Sequence, residues 1–252
     1  MTPFINSMRA VFGIIGYPLT HSFSPDYFNR KFSEEGIDAE YLKFPLADVS
    51  LLPKLLADQP HLKGFNVTIP YKSAVIRYLD VIDDDAAGIG AVNCVSLSNG
   101  RLVGYNTDIS GFRRSLEPLL KPHHTRALVL GTGGSSLAVQ FVLKKLGIDF
   151  VKVSRSRRVD RITYEELPPQ QVANSKLIIN TTPLGMYPQT GAWPPIPYGA
   201  ITRDHLMFDL IYNPAETAFL NKGKAMGAAT QNGLDMLHYQ AEANWDIWKE
   251  LV

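Results

Sequence analysis

Apolar positions along the chain alternate between short continuous runs and helical stripes. Val11-Phe12-Gly13-Ile14-Ile15 is an apolar run of strand length, stopped by Gly16-Tyr17-Pro18. The next segment predicts a helix up to Glu35, with Ser24 as N-cap, Pro25 at its first position, Asp26 in its first turn and Gly36 at its end. The pattern then predicts a strand from Glu40 to Phe44, a helix from Val49 to Leu56, a strand over Phe65-Asn66-Val67-Thr68 and another helix from about Lys72. Strands alternating with helices argue for a mainly parallel sheet. Two apolar alternations, Cys94 to Leu97 and Arg101 to Tyr105, flank Ser98-Asn99-Gly100, and Asn-Gly at that place predicts a type I′ hairpin. In this register Ser98 faces Arg101 and Asn93 faces Asn106, so Asn93 and Asp108 come to one end of the sheet.

The second half repeats the alternation with a different punctuation. The buried-strand run Ala127-Leu128-Val129-Leu130 leads into Gly131-Thr132-Gly133-Gly134-Ser135-Ser136, then the apolar run Leu137 to Leu146, closed by Gly147. Strand, glycine turn and helix in that order suit a dinucleotide: the backbone can approach a pyrophosphate and the helix N-terminus faces its charge. Alone the turn is a weak signal, because Ser136 replaces the third glycine and such turns also occur in flavin and purely structural units. The next strand, Phe150 to Val153, ends in Ser154-Arg155-Ser156-Arg157-Arg158, with no acid for a ribose hydroxyl and arginines that suit the 2′-phosphate of NADP. Further strands are expected at Leu177 to Asn180, Leu206 to Leu210 and Ala228 to Thr230, with Gln189 to Gly199 a surface loop. Leu234, Leu237, Ala241, Trp245 and Trp248 recur at helical spacing and predict the buried face of a terminal helix.

Composition narrows the class. The chain has 252 residues, room for two modest domains, with 45% hydrophobic and 19% charged residues as in globular proteins. A net charge of +1 gives no reason to expect nucleic acid or an anionic membrane as partner. The single cysteine, Cys94, excludes an intrachain disulfide and reads as apolar filler. The histidines show no metal-ligand spacing, so no metal is expected. No apolar run is of membrane-spanning length and no secretory signal is visible, which makes the cytoplasm the default. Met1 to Ser7 read as a loose extension ahead of a second methionine, Met8.

Polar residues gather where the strands of the first half end, which is where α/β proteins place ligands: Ser22, Ser24, Asn66, Thr68, Lys72, Asn93 and Asp108. Mixed donors and acceptors suit a small polyhydroxylated ligand, and a ketone reduced by hydride needs a proton, which lysine beside an aspartate can supply. Each residue has a plainer reading as well. Ser24 fits a helix cap, as Thr107 or Asp108 fits the cap of a helix starting near Ser110. Lys72 fits a solvated surface lysine, and Asn66 and Asn93 fit groups that satisfy strand-end backbone. His21 reads as an orienting or packing residue rather than the acid.

At these residues the chain resembles the shikimate dehydrogenase family, in order and over nearly its whole length from Phe12. The resemblance is carried by Gly16-Tyr17-Pro18-Leu19-Thr20-His21-Ser22-Phe23-Ser24-Pro25, Asn66-Val67-Thr68-Ile69-Pro70-Tyr71-Lys72, Gly90-Ala91-Val92-Asn93-Cys94 and Gly104-Tyr105-Asn106-Thr107-Asp108-Ile109-Ser110-Gly111. In the second half it rests on Asn180-Thr181-Thr182-Pro183-Leu184-Gly185-Met186, Asp209-Leu210-Ile211-Tyr212-Asn213-Pro214 and Asn232-Gly233-Leu234-Asp235-Met236-Leu237. It implies reversible NADPH-dependent reduction of 3-dehydroshikimate to shikimate. It implies Lys72 and Asp108 as the acid–base pair, Asn66, Asn93, Asp108 and Gln240 at the ring hydroxyls, and Ser22, Ser24, Thr68 and Tyr212 around the carboxylate. Gly131, Gly133, Gly134 and Ser135 would hold the pyrophosphate, Ser154, Arg155, Ser156 and Arg158 the 2′-phosphate, and Thr181, Leu210 and Gly233 the nicotinamide side, with Asp84 close to the cofactor.

The implied architecture is α/β: a mainly parallel substrate domain over 8–107 and 234–252, and a Rossmann-type, doubly wound NADP domain over 108–233. The terminal helix returns to the first domain, and the assembly is a monomer or a homodimer. Departures are Ser154-Arg155-Ser156 for the common Asn-Arg-Thr, Phe28 for a frequent histidine, Tyr71 for His or Phe, and Ser135-Ser136-Leu137 for Ala-Ala-Arg. An NAD-preferring quinate/shikimate dehydrogenase and a non-catalytic dinucleotide sensor are the competing expectations.

Overall fold

The computed structural model describes residues 9–19 and 23–252. Ser22, with Thr20, His21 and the Met1 to Ser7 segment, lies outside the described residues. The chain divides into two compact units, one running to Thr107 and resuming over Ala241–Val252, the other Asp108–Gln240.

The first unit contains β1 (Ala10–Gly16), α1 (Phe23–Glu35), β2 (Ala39–Pro45), α2 (Leu52–Asp58), β3 (Leu62–Val67), β4 (Val81–Ile82), α3 (Asp84–Ile89), β5 (Cys94–Ser98) and β6 (Arg101–Tyr105). Its six strands lie in the order β2-β1-β3-β5-β6-β4, with β5 antiparallel to β3 and β6 and the other pairings parallel. β1 is buried along its whole length, as a strand covered on both faces must be. One face carries Phe65, Val67, Val75 and Val92, the other an aromatic cluster of Phe12, Phe28, Phe32, Tyr41 and Trp248. Phe28 stacks on Tyr41 with ring centroids 4.9 Å apart, and Trp248 Nε1 donates to the Val95 carbonyl at 3.0 Å. The hairpin has the expected register, Ser98 opposite Arg101, and Asn99 (φ 51°) and Gly100 (φ 72°) are both left-handed, as a type I′ turn requires.

Local structure differs from the sequence reading in several places. Helix α1 begins at Phe23, so Ser24 lies inside its first turn and is not the N-cap. The expected helix from Val49 opens as a 3-10 turn over Val49–Leu51, and α2 starts where Pro53 enters its first turn. The helix expected from Lys72 is a 3-10 segment over Ala74–Tyr78. The Lys72 carbonyl accepts from Val92 N at 2.8 Å and so is engaged outside the segment, which removes an α-helical acceptor at its start.

Helix α4 (Thr107–Leu116) leads into the second unit: β7 (Arg126–Leu130), α5 (Gly134–Lys145), β8 (Asp149–Ser154), β9 (Ile162–Thr163), α6 (Pro169–Asn174), β10 (Leu177–Asn180), β11 (Leu206–Asp209), α7 (Ala218–Ala225), β12 (Ala229–Gln231) and α8 (Leu234–Trp248). Its six strands are parallel in the order β12-β11-β10-β7-β8-β9, the doubly wound order with its switch point between β7 and β10. Two apolar layers cover the sheet, one through Val139, Val142, Ile179 and Phe208, the other through Leu128, Val153, Ile178 and Phe219.

On α8 the buried positions are Met236, Gln240, Ala241, Asn244 and Trp248, while Leu234 is 40% exposed and Leu237 and Trp245 are half-buried. The buried stripe keeps the expected Ala241 and Trp248, with Trp245 packed against the same core, but at its start it shifts from Leu234 and Leu237 to Met236 and Gln240, and it includes two amides. Gly111 lets α4 meet α8: a Cβ there would lie 2.6 Å from the Met236 carbonyl oxygen and 2.9 Å from Gln240 Cβ. Among the described residues, no helix is long and apolar enough to cross a membrane, and no cluster of His, Cys, Asp or Glu is arranged to hold a metal.

Candidate active site

In the first unit the register Ile14–Asn66, Asn66–Cys94 and Cys94–Tyr105 sets Asn66, Asn93 and the residues after β6 at the carboxyl-terminal edge of the parallel strands. Asn66 and Asn93 are buried, and a buried amide must find partners. Asn66 Nδ2 donates to the Asn93 carbonyl at 3.0 Å, and Asn66 Oδ1 accepts from the Tyr41 hydroxyl at 2.7 Å. Asn93 Oδ1 accepts from Thr107 N at 2.7 Å, and the Thr107 hydroxyl donates to Asn244 Oδ1 at 2.7 Å. The residue before Asp108 is thus pinned by Asn93, while Asp108, itself buried, stands in the first turn of α4.

Thr68 follows β3 directly. Its N–H donates to the Ile15 carbonyl at 3.0 Å and its carbonyl accepts from Tyr71 N at 2.9 Å, closing a tight turn. The Tyr71 hydroxyl anchors this turn by donating to the Leu46 carbonyl at 2.6 Å. Half-buried Lys72 comes next, its backbone tied to Val92, the neighbour of Asn93. Ser24, buried on α1, is hydrogen-bonded to the Tyr41 hydroxyl. Among the described residues the first unit therefore brings together Ser24, Asn66, Thr68, Lys72 and Asn93. Asp84 is exposed as the first residue of α3.

In the second unit Gly131 has φ 104°, and a Cβ there would lie 2.7 Å from Thr181 Oγ1 and 2.8 Å from Thr182 Cγ2, so this position requires glycine. Ser136, fully buried, donates from Oγ to the Gly131 carbonyl at 3.1 Å and accepts from Gln140 Nε2 at 2.7 Å. The serine in place of a third glycine is a clasp on the turn. Gly133 caps α5 with open space where a side chain would be and with no side-chain cap bond, and Gly134 and Ser135 form the first turn. Backbone N–H groups at such a start lack helical partners and suit a diphosphate.

Across the switch point Thr181 N and Oγ1 both donate to the Leu130 carbonyl, at 2.8 and 2.7 Å. Leu210 N donates to the Asn180 carbonyl at 3.0 Å, and Gly233 N to the Ile211 carbonyl at 3.0 Å. A Cβ on Gly233 would overlap the Leu210 carbonyl. Thr181, Leu210 and Gly233 therefore gather at the ends of β10, β11 and β12. After β8, Ser154 Oγ donates to the Ser156 carbonyl at 2.6 Å and accepts from Ser156 N at 3.3 Å, which shapes the loop that presents Arg155 and Arg158 to solvent. Arg157 pairs instead with Glu166. An open glycine turn at the switch point, followed by exposed guanidinium groups at the end of the next strand, fits a dinucleotide that carries an extra phosphate.

Beneath this edge lies a buried carboxylate. Asp209 accepts from Thr217 Oγ1 at 2.6 Å, Asn180 Nδ2 at 3.0 Å and Ile211 N at 3.1 Å, yet burial pushes its protonation up to about 6. Tyr212 is half-buried beyond β11, and burial raises its phenol. Gln240 is buried on α8, its Nε2 donating to the Leu237 carbonyl at 3.1 Å.

Residues 14–95 match the sequence profile of the shikimate dehydrogenase substrate-binding domain. A curated NADP+ shikimate dehydrogenase of Methanococcus maripaludis (strain C6) is 40% identical over 97% of this chain and 93% of its own. The chain belongs to the shikimate dehydrogenase family. Among solved structures, shikimate dehydrogenase of Thermus thermophilus, in complex with NADP(H) and shikimate, shares 30% identity at TM-score 0.85, over 96% of this chain and 94% of that one. A ligand-free 5-ketofructose reductase of a Gluconobacter species shares 29% identity at TM-score 0.80, over 95% and 92%.

Several departures within this shikimate dehydrogenase family chain have local reasons. Phe28 belongs to the aromatic cluster, and the Tyr71 hydroxyl holds the turn before Lys72. The sequence reading missed Tyr41, Asn244, and Asp209 with Thr217. An amide at 240 followed by another at 244, both at the spacing of the buried stripe, is the signal that would have found Asn244.

Proposed function

We propose that this chain catalyses the reversible NADPH-dependent reduction of 3-dehydroshikimate to shikimate, a step toward chorismate and aromatic amino acids. The observation that carries this reading is the tie between the backbone of Lys72 and Val92, beside an Asn93 whose Oδ1 anchors the residue before Asp108. These bonds set a lysine at a strand-end edge lined with neutral amides, and hold the peptide that leads into the aspartate.

NADPH, when bound, supplies the hydride. Lys72 Nζ gives a proton to the ketone oxygen as it becomes a hydroxyl, and in the reverse direction the neutral amine takes that proton back. Asp108 holds the ammonium in place. Asn66, Asn93, Asp108 and Gln240 bind the ring hydroxyls, and Ser22, Ser24, Thr68 and Tyr212 surround the carboxylate. Gly131, Gly133, Gly134 and Ser135 hold the pyrophosphate, and Ser154, Arg155, Ser156 and Arg158 the 2′-phosphate. Thr181, Leu210 and Gly233 line the nicotinamide side, and Asp84 approaches the cofactor. The unit that ends at Thr107 and resumes at Ala241 is the substrate domain and Asp108–Gln240 the cofactor domain, seven residues longer at its end than the expected 108–233, of an enzyme that is cytoplasmic and monomeric or homodimeric.

The likeness to a 5-ketofructose reductase favours, as a second reading, another polyhydroxylated ketone as substrate. A panel of shikimate, quinate and 5-ketofructose, each with NADP(H) and NAD(H), separates the readings by the absorbance of the reduced cofactor. Fastest turnover is expected for shikimate with NADP+. Turnover confined to 5-ketofructose would replace this reading by the second, and turnover of quinate with NAD+ in preference to shikimate with NADP+ would overturn the cofactor and substrate assignment.

A further inference from the structure

We propose that Tyr41 is a positioning residue of the substrate site: its hydroxyl fixes the Asn66 amide so that the group offered to a ligand is an N–H donor. This inference rests on the functional reading above and adds a residue to it.

Tyr41 lies on β2 with 2% exposure, its ring stacked on Phe28 and 6.4 Å from that of Trp248. A phenylalanine would fill the same space, so packing does not call for the hydroxyl, and burying one costs free energy unless it is bonded. The hydroxyl donates to Asn66 Oδ1 at 2.7 Å and is also bonded to Ser24. Asn66 Nδ2 in turn faces the Asn93 carbonyl at 3.0 Å, so a flipped amide would set oxygen against oxygen. With Oδ1 engaged by Tyr41 and one N–H by Asn93, the second N–H is the group Asn66 has to offer at the strand-end edge. A ligand must meet it with an acceptor, such as a hydroxyl oxygen. Tyr41 and Asn66 are 25 residues apart, on strands separated by β1, so the link is a product of the fold.

The test is a double-mutant cycle with Tyr41→Phe and Asn66→Ala, read as KM for shikimate, kcat and KM for NADP+. Tyr41→Phe is expected to raise KM for shikimate by about 5- to 10-fold, the loss of roughly one hydrogen bond, with kcat and KM for NADP+ changed less than about 2-fold. In the Asn66→Ala background the same change is expected to add less than about 2-fold. Independent, multiplying effects of the two substitutions would overturn the inference. A Tyr41→Phe protein that no longer unfolds cooperatively in urea would also overturn it, because the hydroxyl would then serve the core. Wild-type protein that turns over shikimate normally alongside an unaffected Tyr41→Phe variant defeats this inference alone. Wild-type protein without shikimate turnover defeats it together with the functional reading.

Discussion

Asp209 offers a prediction whose sign is opposite to the usual behaviour of a bonded carboxylate. It is fully buried below the cofactor edge, and three donors, on Thr217, Asn180 and Ile211, face its oxygens. These donors lower its protonation, but burial is the larger influence and raises it from 3.8 to about 6. Over the window between those values the native protein keeps a proton that the unfolded chain has released. Stability from this group is therefore fully present below the unfolded value and is lost as pH rises through the folded one. At about 1.4 kcal/mol per tenfold change in proton affinity, the shift from 3.8 to about 6 amounts to roughly 3 kcal/mol.

The perturbation is Asp209→Asn, which keeps the shape and removes the titration. Urea unfolding of both proteins from about pH 4 to pH 8 gives the difference in stability, and groups that titrate alike in the two proteins cancel. The variant is expected to gain on the wild type as pH rises, by up to about 3 kcal/mol, and the difference to level off near neutrality. A difference that stays constant with pH, or one that turns against the variant at high pH, would refute the reasoning. The second outcome would mean that the three donors outweigh burial.

Other outcomes follow from close contacts around the cofactor edge. Gly233→Ala drives a methyl group onto the Leu210 carbonyl, so NADPH affinity, read by fluorescence titration, is expected to fall about 10-fold or more, in line with overpacking costs of ~1–3 kcal/mol. Ser136→Ala removes the clasp on the Gly131 carbonyl and leaves Gln140 without its acceptor, and urea unfolding is expected to show a loss of about 1 kcal/mol. Arg155→Ala is expected to raise KM for NADP+ about 10-fold or more while leaving KM for NAD+ nearly unchanged, because the proposed partner of this exposed guanidinium is the 2′-phosphate, which NAD+ lacks.

The features legible in the sequence were those that depend on neighbours in the chain. The Asn99-Gly100 turn fixed the hairpin register, and strand, glycine turn and apolar helix identified the doubly wound unit before its strand order was known. Misreadings occurred where a distant partner decides. The Lys72 carbonyl bonds to Val92, so the segment after it tightens into a 3-10 turn. Ser24 reads locally as a cap, but it lies within the helix, bonded to a phenol on β2. Of the apolar stripe expected on α8, Ala241 and Trp248 are buried and Trp245 packs against the same core, whereas Leu234 is exposed and the buried face also bears Gln240 and Asn244, whose amides meet polar groups. Tyr41 carries no local mark, because its partners stand on α1 and β3.

The central claim, that Lys72 moves a proton for a shikimate–NADP oxidoreductase, is tested most directly by comparing kcat for shikimate oxidation in the wild type and Lys72→Ala, with NADPH affinity measured on both. The account predicts NADP+-dependent turnover by the wild type and a kcat lowered about 10²-fold or more in the variant, with NADPH affinity preserved. No turnover of shikimate by the wild type, or a variant that loses turnover and cofactor affinity in equal measure, would contradict it.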